Sequence, residues 1–300
     1  MKIVKKKEIT GHVGPIYSVD ASGSTIYSSS ADGFVGSWDL EKGTQNKFSV
    51  KLDGASFKIK VITFTNQLVI GKTSGDIHVI DLATKIESHF IKYHTSPIFS
   101  IHSVNSFRYI LVGDGDGIVS VWNADNWKLL IAIPFNLGKI RDISTGFSEH
   151  EIMIATQSGE IKRLDLNHFN EIECDYKHSD GVNTLMKNPF DTQFLFSAGK
   201  DGLLKVWKFN NEISSISIPA HYSAIYRLLA LNSGKNFISA SRDKSIKFWD
   251  MKDVKVIDKI ERKDGGHSHS VNDLAKISET QFCSVSDDKK IIIWEIFPEN

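Results

Sequence analysis

Four copies of a histidine, serine, aspartate and tryptophan set recur along the chain, and the first three of these side chains can do hydrolytic chemistry together. A histidine oriented by an aspartate can deprotonate a serine and so activate it as a nucleophile. An enzyme needs one such site, whereas four equivalent copies indicate a structural hydrogen-bond network. We therefore predict no catalytic residues and a structural role for every set. The complete sets are His12, Ser28, Asp32, Trp38; His178, Ser197, Asp201, Trp207; His221, Ser239, Asp243, Trp249; and His267, Ser284, Asp288, Trp294.

Two other motifs could bind an ion, and each departs from what that chemistry requires. The segment from Gly113 to Gly117 alternates glycine and aspartate like a calcium loop, but Val119 stands where such a loop needs glycine. A tight turn with Asp116 in a structural role is the favoured interpretation. His267 and His269 could ligate a metal with a nearby aspartate, although two histidines at this spacing are weak evidence. We expect no metal and no cofactor.

One motif is similar to the end of a phosphate-binding loop. It reads Gly71-Lys72-Thr73, but Asn66 stands where the first glycine of that loop is required, and no helical pattern follows. We therefore discard it as a nucleotide site.

A repeat of about 42 residues positions the four sets. Its anchor is the residue that ends an alternating run, and successive anchors lie 42 or 43 residues apart, with 45 before the last; they are Trp38, Ile80, Trp122, Leu164, Trp207, Trp249 and Trp294. A turn residue precedes each anchor by six positions, namely Asp32, Ser74, Asp116, Ser158, Asp201, Asp243 and Asp288. Runs such as IKFW and LKVW alternate with period two, which predicts strands rather than helices. Each unit accommodates four short strands, and seven units bury their faces by stacking on one another.

A family resemblance is carried by dipeptides that end in histidine before the anchors and by acidic or amide residues directly after them. Gly11-His12 and Gly266-His267 precede anchors that continue as Trp38-Asp39 and Trp294-Glu295. Gly-His followed by Trp-Asp at this period resembles the WD-repeat β-propellers. The resemblance covers essentially the whole chain. It implies an all-β, seven-bladed propeller of four-stranded antiparallel blades, built as a single domain over residues 1–300.

The resemblance also implies how the ring closes and how the sets are used. In the family an N-terminal strand completes the last blade, so residues 1–9 are expected as the outer strand of blade seven. The matching His, Ser, Asp and Trp side chains form a buried hydrogen-bond chain in such propellers. Blade three keeps His94, Asp116 and Trp122 but has Val112 where serine is expected. Blades two and four lack the histidine, and we expect these three blades to rely on packing.

Composition restricts the class of partner. The 300 residues are 41% hydrophobic and 24% charged, which is typical of a well-cored globular chain. Lys plus Arg and Asp plus Glu both number 36, and the resulting zero net charge does not favour nucleic acid or anionic membrane. The basic N-terminus lacks a following apolar stretch, so we expect no secretory signal. Two cysteines, Cys174 and Cys283, favour a reducing cytoplasm over a disulfide framework.

The resemblance further implies where a partner binds. In G-protein β subunits, contacts on the top face come from the residues three and five after the histidine and from the residue before the turn aspartate. In blades one to seven these positions are Pro15, Tyr17, Ala31; Phe57, Ile59, Thr73; Pro97, Phe99, Gly115; Lys139, Arg141, Gln157; Gly181, Asn183, Lys200; Ala224, Tyr226, Arg242; and Ser270, Asn272, Asp287. The predicted binding residues are Tyr17, Phe99, Lys139, Arg141, Asn183, Lys200, Tyr226, Arg242, Asn272 and Asp287.

Aromatic and basic side chains dominate this set, and Asp287 is its one acid. Aromatic and arginine residues are enriched at binding hot spots, and a local basic bias favours a partner with acidic or phosphorylated groups. We therefore predict a non-catalytic scaffold that binds a protein or peptide and is monomeric by itself. Two alternatives stay open. A nucleic-acid-associated or ribonucleoprotein-associated WD-repeat protein would use the basic residues on phosphates, and a propeller-based enzyme would need a metal or an acidic cluster.

Overall fold

The alternating runs of the sequence form strands throughout the computed structural model, which describes residues 2–209, 213–231 and 234–297. No α-helix occurs within these ranges, and a short 3-10 turn spans Arg262–Asp264. No helix in the described part of the chain is long and apolar enough to cross a membrane.

Seven antiparallel sheets of four strands make the chain a seven-bladed all-β propeller, as the repeat predicts. The first strands in chain order are β1 Lys2–Thr10; β2 Ile16–Ser22, β3 Thr25–Ser30, β4 Phe34–Asp39 and β5 Gln45–Lys51 of blade one; β6 Ser56–Ile62, β7 Gln67–Lys72, β8 Asp76–Asp81 and β9 Ile86–Lys92 of blade two; and β10 Ile98–Val104, β11 Tyr109–Asp114, β12 Ile118–Asn123 and β13 Leu129–Pro134 of blade three.

The remaining strands are β14 Ile140–Thr145, β15 Glu151–Thr156, β16 Glu160–Asp165 and β17 Glu171–Lys177 of blade four; β18 Val182–Lys187, β19 Phe194–Gly199, β20 Leu203–Phe209 and β21 Ile213–Pro219 of blade five; β22 Ile225–Leu231, β23 Asn236–Ser241, β24 Ile246–Asp250 and β25 Val256–Ile260 of blade six; and β26 Val271–Lys276, β27 Gln281–Ser286 and β28 Lys290–Phe297 of blade seven.

Strand position within a blade decides the burial pattern. The second strands are buried along nearly their whole length, and β15 and β23 at every residue, because both of their faces are packed. The outer strands β1 and β5 alternate between exposed and half-buried residues, because one of their faces meets water. The anchors of blades two and four, Ile80 and Leu164, are buried and hold the same cross-strand register as Trp38 in blade one.

The predicted closure of blade seven is confirmed. Strand β1 pairs antiparallel with β28 from Lys2 opposite Phe297 to Thr10 opposite Lys290, and the sheet order is β1-β28-β27-β26. Ile9 is buried beside Trp38 and Ile291 in one core cluster. The first and last strands of the chain are therefore joined in one sheet.

The chain divides into two compact units, residues 1–59 with 223–300 and residues 60–222. In the first unit the core is formed by side chains of blades one, six and seven, including Phe248 and Trp294. In the second unit it is formed by blades two to five, including Trp122 and Trp207. The assignment of residues 1–300 to a single domain stays a prediction.

Candidate functional site

The His, Ser, Asp and Trp side chains of blades one, five and seven form continuous hydrogen-bond chains. In each, the tryptophan Nε1 donates to the serine Oγ at 2.7–2.9 Å, the serine Oγ lies 2.7–2.8 Å from the histidine Nε2, and the histidine Nδ1 lies 2.9–3.0 Å from the aspartate. In blade six the Trp249 Nε1 donates to the Ser239 Oγ at 2.8 Å.

Proton positions follow from the chemistry of these chains. The carboxylate can only accept, so the histidine Nδ1–H donates to it and the histidine Nε2 accepts the serine proton. This is also the polarity of a nucleophilic triad. However, Ser28, Ser197 and Ser284 are each 0% exposed. A substrate cannot reach their oxygen atoms in this fold, and the geometry therefore supports a structural network.

The turn carboxylates stay ionised in this network. Burial opposes the charged form of Asp32, but hydrogen bonds from His12 and from the backbone of Val13 outweigh it and hold the Asp32 pKa below its ordinary value. The pKa values of Asp201 and Asp288 are lowered in the same way by His178 and His267. Because the folded pKa values lie below the unfolded ones, these groups stabilise the fold above about pH 4 and lose that contribution as pH falls further.

Packing explains why a glycine precedes the histidine of blade one. A Cβ atom on Gly11 would lie 2.6 Å from the Trp38 ring. The indole therefore lies directly against the Gly11 backbone and reaches Ser28 with its nitrogen. The Gly-His pair and the tryptophan anchor of blade one are thus parts of one contact.

Blade three builds its network from residues that the sequence analysis did not assign. His94 Nδ1 lies 2.7 Å from Asp114, and His94 Nε2 lies 2.8 Å from the Ser120 Oγ, which also accepts from Trp122 at 2.7 Å. The structural role predicted for Asp116 is therefore wrong. Ser120 is the cross-strand partner of Val112, so the hydroxyl comes from strand β12 and blade three does not rely on packing alone.

The correction predicts opposite outcomes for two neighbouring aspartates. Replacing Asp114 with alanine leaves the buried His94 Nδ1 and the Ile118 backbone N–H without their acceptor, so the free energy of unfolding should fall by about 1–3 kcal/mol. Asp116→Ala is the matched control and should change it by less than about 0.5 kcal/mol. Urea denaturation of both variants measures the difference. Equal losses would contradict the assignment.

The predicted contact positions are joined within blades by a recurring backbone hydrogen bond. In five blades the residue before the turn donates its N–H to the carbonyl of the residue three after the histidine position. The pairs, with N to O distances of 2.8–3.2 Å, are Ala31 and Pro15, Gln157 and Lys139, Lys200 and Gly181, Arg242 and Ala224, and Asp287 and Ser270. The loops that carry two of the three predicted positions are therefore tied together in each of these blades.

Within the second unit, the predicted positions of blades four and five converge on one cavity of about 80 Å³. We call it the blade four/five cavity, and its lining is Lys139, Arg141, Gln157, Gly181, Asn183 and Lys200. All six were assigned as contact positions, those of blade five from the family resemblance and those of blade four by extending it with the repeat period. The sequence alone did not indicate that these six would share one depression, nor that Gln157 and Gly181 would belong to it.

Hydrogen bonds and aromatic contacts hold the side chains that line the cavity. The Arg141 Nε donates to the Asn183 Oδ1 at 3.2 Å, and the Lys139 N–H donates to the Gln157 Oε1 at 3.3 Å. The Phe99 ring lies 4.9 Å from the Lys139 Nζ and 5.0 Å from the Arg141 Cζ, within the range of cation–π contacts. The guanidinium and the ammonium group are thus held beside one aromatic ring.

Glycine at position 181 lets the two blades approach. A Cβ atom there would lie 2.9 Å from the Gln157 carbonyl oxygen and 3.4 Å from the Lys200 Cε. The cavity therefore has a wall made of backbone on its blade five side. An acidic group stands near, since the Lys200 Nζ lies 3.6 Å from an Asp180 carboxylate oxygen and both side chains are about half exposed.

The predicted positions of the first unit are arranged differently. Tyr17 and Phe57 pack edge to face with centroids 5.0 Å apart, and burial followed by the charge of Asp287 raises the Tyr17 pKa. The Asn272 side chain donates to Asp287 and to the Ile16 carbonyl, both at 2.8 Å. Arg242 is exposed and Tyr226 is half-buried. Ile59, a position assigned by period, is buried in the core.

A buried ionic cluster in the first unit was not anticipated. Asp273 accepts from the Ser18 hydroxyl at 2.8 Å and from the Lys58 Nζ at 3.1 Å, and the Arg227 Nε lies 3.3 Å away. Asp273 follows the predicted contact residue Asn272, and Arg227 follows Tyr226, so both occupy the next position on a first strand. For Arg227 the sequence signal was a single charged residue within the otherwise apolar strand β22, whereas Asp273 lies in a strand that also contains Asn272 and Lys276.

No group of three or more His, Cys, Asp or Glu side chains is placed to hold a metal ion among the residues that the structure describes. His267, the candidate ligand of the sequence, uses both ring nitrogens in its blade seven network. Its neighbour His269 contacts the Ser268 hydroxyl at 2.9 Å through Nδ1.

Comparison with known proteins identifies the repeat. The family model described as "WD domain, G-beta repeat" matches residues 3–39, 86–123, 171–208, 213–250 and 259–295. The unmatched segments contain most of blades two and four, where the histidine and tryptophan are missing from the pattern. Those blades keep the strand register without the network residues.

Curated relatives match the chain at low identity. Cilia- and flagella-associated protein 52 of Bos taurus is 22% identical over 307 residues, which covers 97% of this chain and 47% of that protein. Polyadenylation factor subunit 2 of Candida albicans is 26% identical over 145 residues, covering 46% and 25%. DDB1- and CUL4-associated factor 13 of Xenopus tropicalis is 31% identical over 84 residues, covering 28% and 19%. The chain spans less than half the length of these relatives.

Proposed function

The chain belongs to the WD-repeat family of β-propellers, and from this premise we propose that it is a non-catalytic scaffold that binds a protein or peptide partner. The binding residues are the predicted contact positions of the blades. The partner presents acidic groups to the cationic positions of blades four and five. The protein acts as a monomer in the cytoplasm, where Cys174 and Cys283 stay as thiols.

One observation carries the proposal. Six of the predicted contact positions surround a single cavity. Three of them are the cations Lys139, Arg141 and Lys200. The chain has no net charge, so this concentration of positive charge is local. Charge complementarity between two binding surfaces steers their association and gives specificity. The cavity therefore has the properties of a recognition site on an otherwise neutral protein.

Two further points support a scaffold over an enzyme. The serine of each complete network described by the structure is inaccessible, so the one constellation with catalytic chemistry serves the fold. The names of two relatives, a cilia- and flagella-associated protein and a DDB1- and CUL4-associated factor, describe proteins that associate with others.

Affinity capture from a cell extract tests the proposal with two alanine variants and a control. Tyr17, Tyr226 and Arg242 are replaced in one variant, and Lys139, Arg141 and Lys200 in the other, so that each compact unit is tested separately. We expect specific partners of the native chain to be lost with at least one variant. The control replaces Lys47, Lys51 and Lys128, which are exposed and lie outside the predicted positions. If both variants and the control recover the same partners as the native chain, the contact positions are wrong.

The salt dependence of binding separates the nucleic-acid alternative from this proposal. A protein that neutralises several phosphates of a nucleic acid loses about 10³- to 10⁵-fold in affinity between 50 and 200 mM salt. A peptide held by one charged cavity and by aromatic contacts should lose about tenfold or less over the same range. A steep slope with an oligonucleotide, together with no captured protein, would favour the alternative.

A further inference from the structure

We propose that the blade four/five cavity binds a single phosphoryl group, carried on a serine or threonine side chain of the partner. The inference rests on the proposed scaffold function and adds the chemistry that this cavity recognises. It concerns Lys139, Arg141, Gln157, Asn183 and Lys200, which line the cavity within the second unit.

The volume of the cavity indicates the size of the group that it binds. The cavity has a volume of about 80 Å³, which corresponds to roughly two or three water molecules at about 30 Å³ each. Pockets for nucleotides or drug-sized ligands measure about 300–1,000 Å³. The cavity therefore matches one tetrahedral oxyanion in size, whereas a base or a whole cofactor would extend beyond it.

Charge distinguishes a phosphoryl group from a carboxylate. Three cationic side chains line the cavity, and the acid near them is Asp180, paired with Lys200 and half exposed. A phosphorylated side chain carries about −1.5 to −2 charges at neutral pH. Lys200 is already paired with Asp180, and a phosphoryl dianion balances the cations of this lining better than a carboxylate, which carries a single charge.

Geometry favours a planar fork on the anion. The guanidinium of Arg141 donates through Nε to Asn183, and its Cζ lies 5.0 Å from the Phe99 ring centroid. These two contacts fix the plane in which the terminal amino groups lie. Arginine offers five N–H donors in a rigid arrangement that suits phosphate oxygens. The amide of Gln157 accepts the Lys139 backbone N–H, and its NH₂ group is a further donor type in the lining.

The grouping of three cations around one small cavity favours a protein-borne phosphate over nucleic acid. A nucleic-acid strand presents phosphates in succession and is bound by cations that follow its backbone. Here the three cations surround one small cavity, and the chain as a whole is neutral. An isolated phosphoryl group on a flexible peptide segment matches this pattern.

A chemical-shift titration of the ¹⁵N-labelled full chain tests the proposal with defined probes. The probes are N-acetyl-O-phosphoserine amide, N-acetylglutamate amide and inorganic phosphate. We expect saturable shifts of the Gln157 and Asn183 side-chain amides with both phosphates and at least about tenfold weaker binding of the glutamate compound. Equal affinity for the phosphoserine and glutamate compounds would overturn the phosphoryl assignment.

Variants make the result specific to the cavity. K139Q/R141Q/K200Q should bind the phosphoserine compound at least about tenfold more weakly than the native chain. K47Q/K51Q/K128Q removes the same charge from exposed positions elsewhere and should bind normally. R141K keeps the charge but loses the fork, so it should weaken phosphoserine binding several-fold. Equal losses in the cavity and control triple variants would contradict the proposal.

Two further arms separate this inference from the scaffold function and from nucleic acid. Phosphatase treatment of the extract should abolish capture of the partners that depend on Lys139, Arg141 and Lys200. If those partners are still captured, the scaffold function stands and the phosphoryl inference fails. A short oligonucleotide without terminal phosphates serves as the nucleic-acid probe. The phosphoryl inference would also be overturned if this probe bound as tightly as the phosphoserine compound and with the same dependence on the three cations.

Discussion

Deleting residues 2–9 should lower the melting temperature of the chain by roughly 6–12 °C. Strand β1 is the outer strand of blade seven and pairs with β28 along its whole length. Its loss removes the buried side chain of Ile9, worth about 1.5–3 kcal/mol, and several backbone hydrogen bonds worth about 0.5–1.5 kcal/mol each. A loss of at least about 3 kcal/mol corresponds to this change in melting temperature at about 2–4 °C per kcal/mol. Differential scanning calorimetry measures it.

Two controls show whether the strand pairing itself is responsible. Lys2 and Lys6 are exposed, so K2A/K6A keeps the strand and should melt within about 1 °C of the native chain. A synthetic peptide of residues 1–10, added in excess to the deleted chain, should restore part of the lost stability by binding the folded state. A deletion variant that melts like the native chain would show that β1 does not hold blade seven together.

The repeat period predicted the strands and their register because both depend on local pattern. Alternation of apolar and polar residues defines a strand, and an anchor every 42 or 43 residues fixes which strand of the blade it is. Ile80 and Leu164 hold the register of the tryptophan anchors although their side chains cannot make a hydrogen bond. Apolar burial at that position is thus what the fold requires, and the tryptophan adds the network.

The network of blade three could not be assigned correctly from spacing. At the strand position where blades one and five have serine, the sequence of blade three has Val112. The structure supplies the hydroxyl from Ser120, directly across the ladder from Val112. A cross-strand exchange keeps the hydroxyl in nearly the same place but moves it eight residues along the chain. Spacing is one-dimensional, whereas the hydrogen bond depends only on position in space.

The lining of the blade four/five cavity could also not be predicted from spacing in the sequence. The family resemblance assigned Gly181 as a contact position and the repeat period assigned Gln157, but neither indicates which positions of adjacent blades share a depression. That depends on how closely the backbones approach, and Gly181 sets this distance by lacking a Cβ atom 2.9 Å from Gln157. The ionic cluster around Asp273 depends in turn on side chains from residues 18, 58 and 227, far apart in sequence.

Replacing Asp273 with asparagine should produce the second large loss, about 3–5 kcal/mol in the free energy of unfolding. The carboxylate is buried and holds Lys58 and Arg227, which are mostly buried themselves. Removing one partner of a buried ion pair leaves an uncompensated charge, and such a change costs about 3–5 kcal/mol. Arg227 retains some contact with water, so the lower end of the range is expected. Urea denaturation at pH 7 measures the loss.

The pH dependence of this loss identifies its electrostatic origin. Burial opposes the charged form of Asp273, but Lys58, Arg227 and the Ser18 hydroxyl outweigh burial and hold its pKa below the ordinary value. A carboxylate with a lowered folded pKa stabilises the fold above its unfolded pKa, about 3.9, and loses this effect as pH falls through the folded pKa. The difference between the native chain and Asp273→Asn should therefore be constant from pH 5 to 8 and shrink below about pH 4.

A matched control uses the exposed turn residue Asp253, whose replacement by asparagine should cost less than about 0.5 kcal/mol at every pH. The carboxylates of the blade networks titrate in the same acidic range, but they are present in both proteins and cancel in the difference. A native-like stability of Asp273→Asn at pH 7 would show that the cluster is not stabilising. A deficit that stays constant on acidification would show that Asp273 acts through packing, because an ionic contribution has to fade once the native carboxylate is protonated.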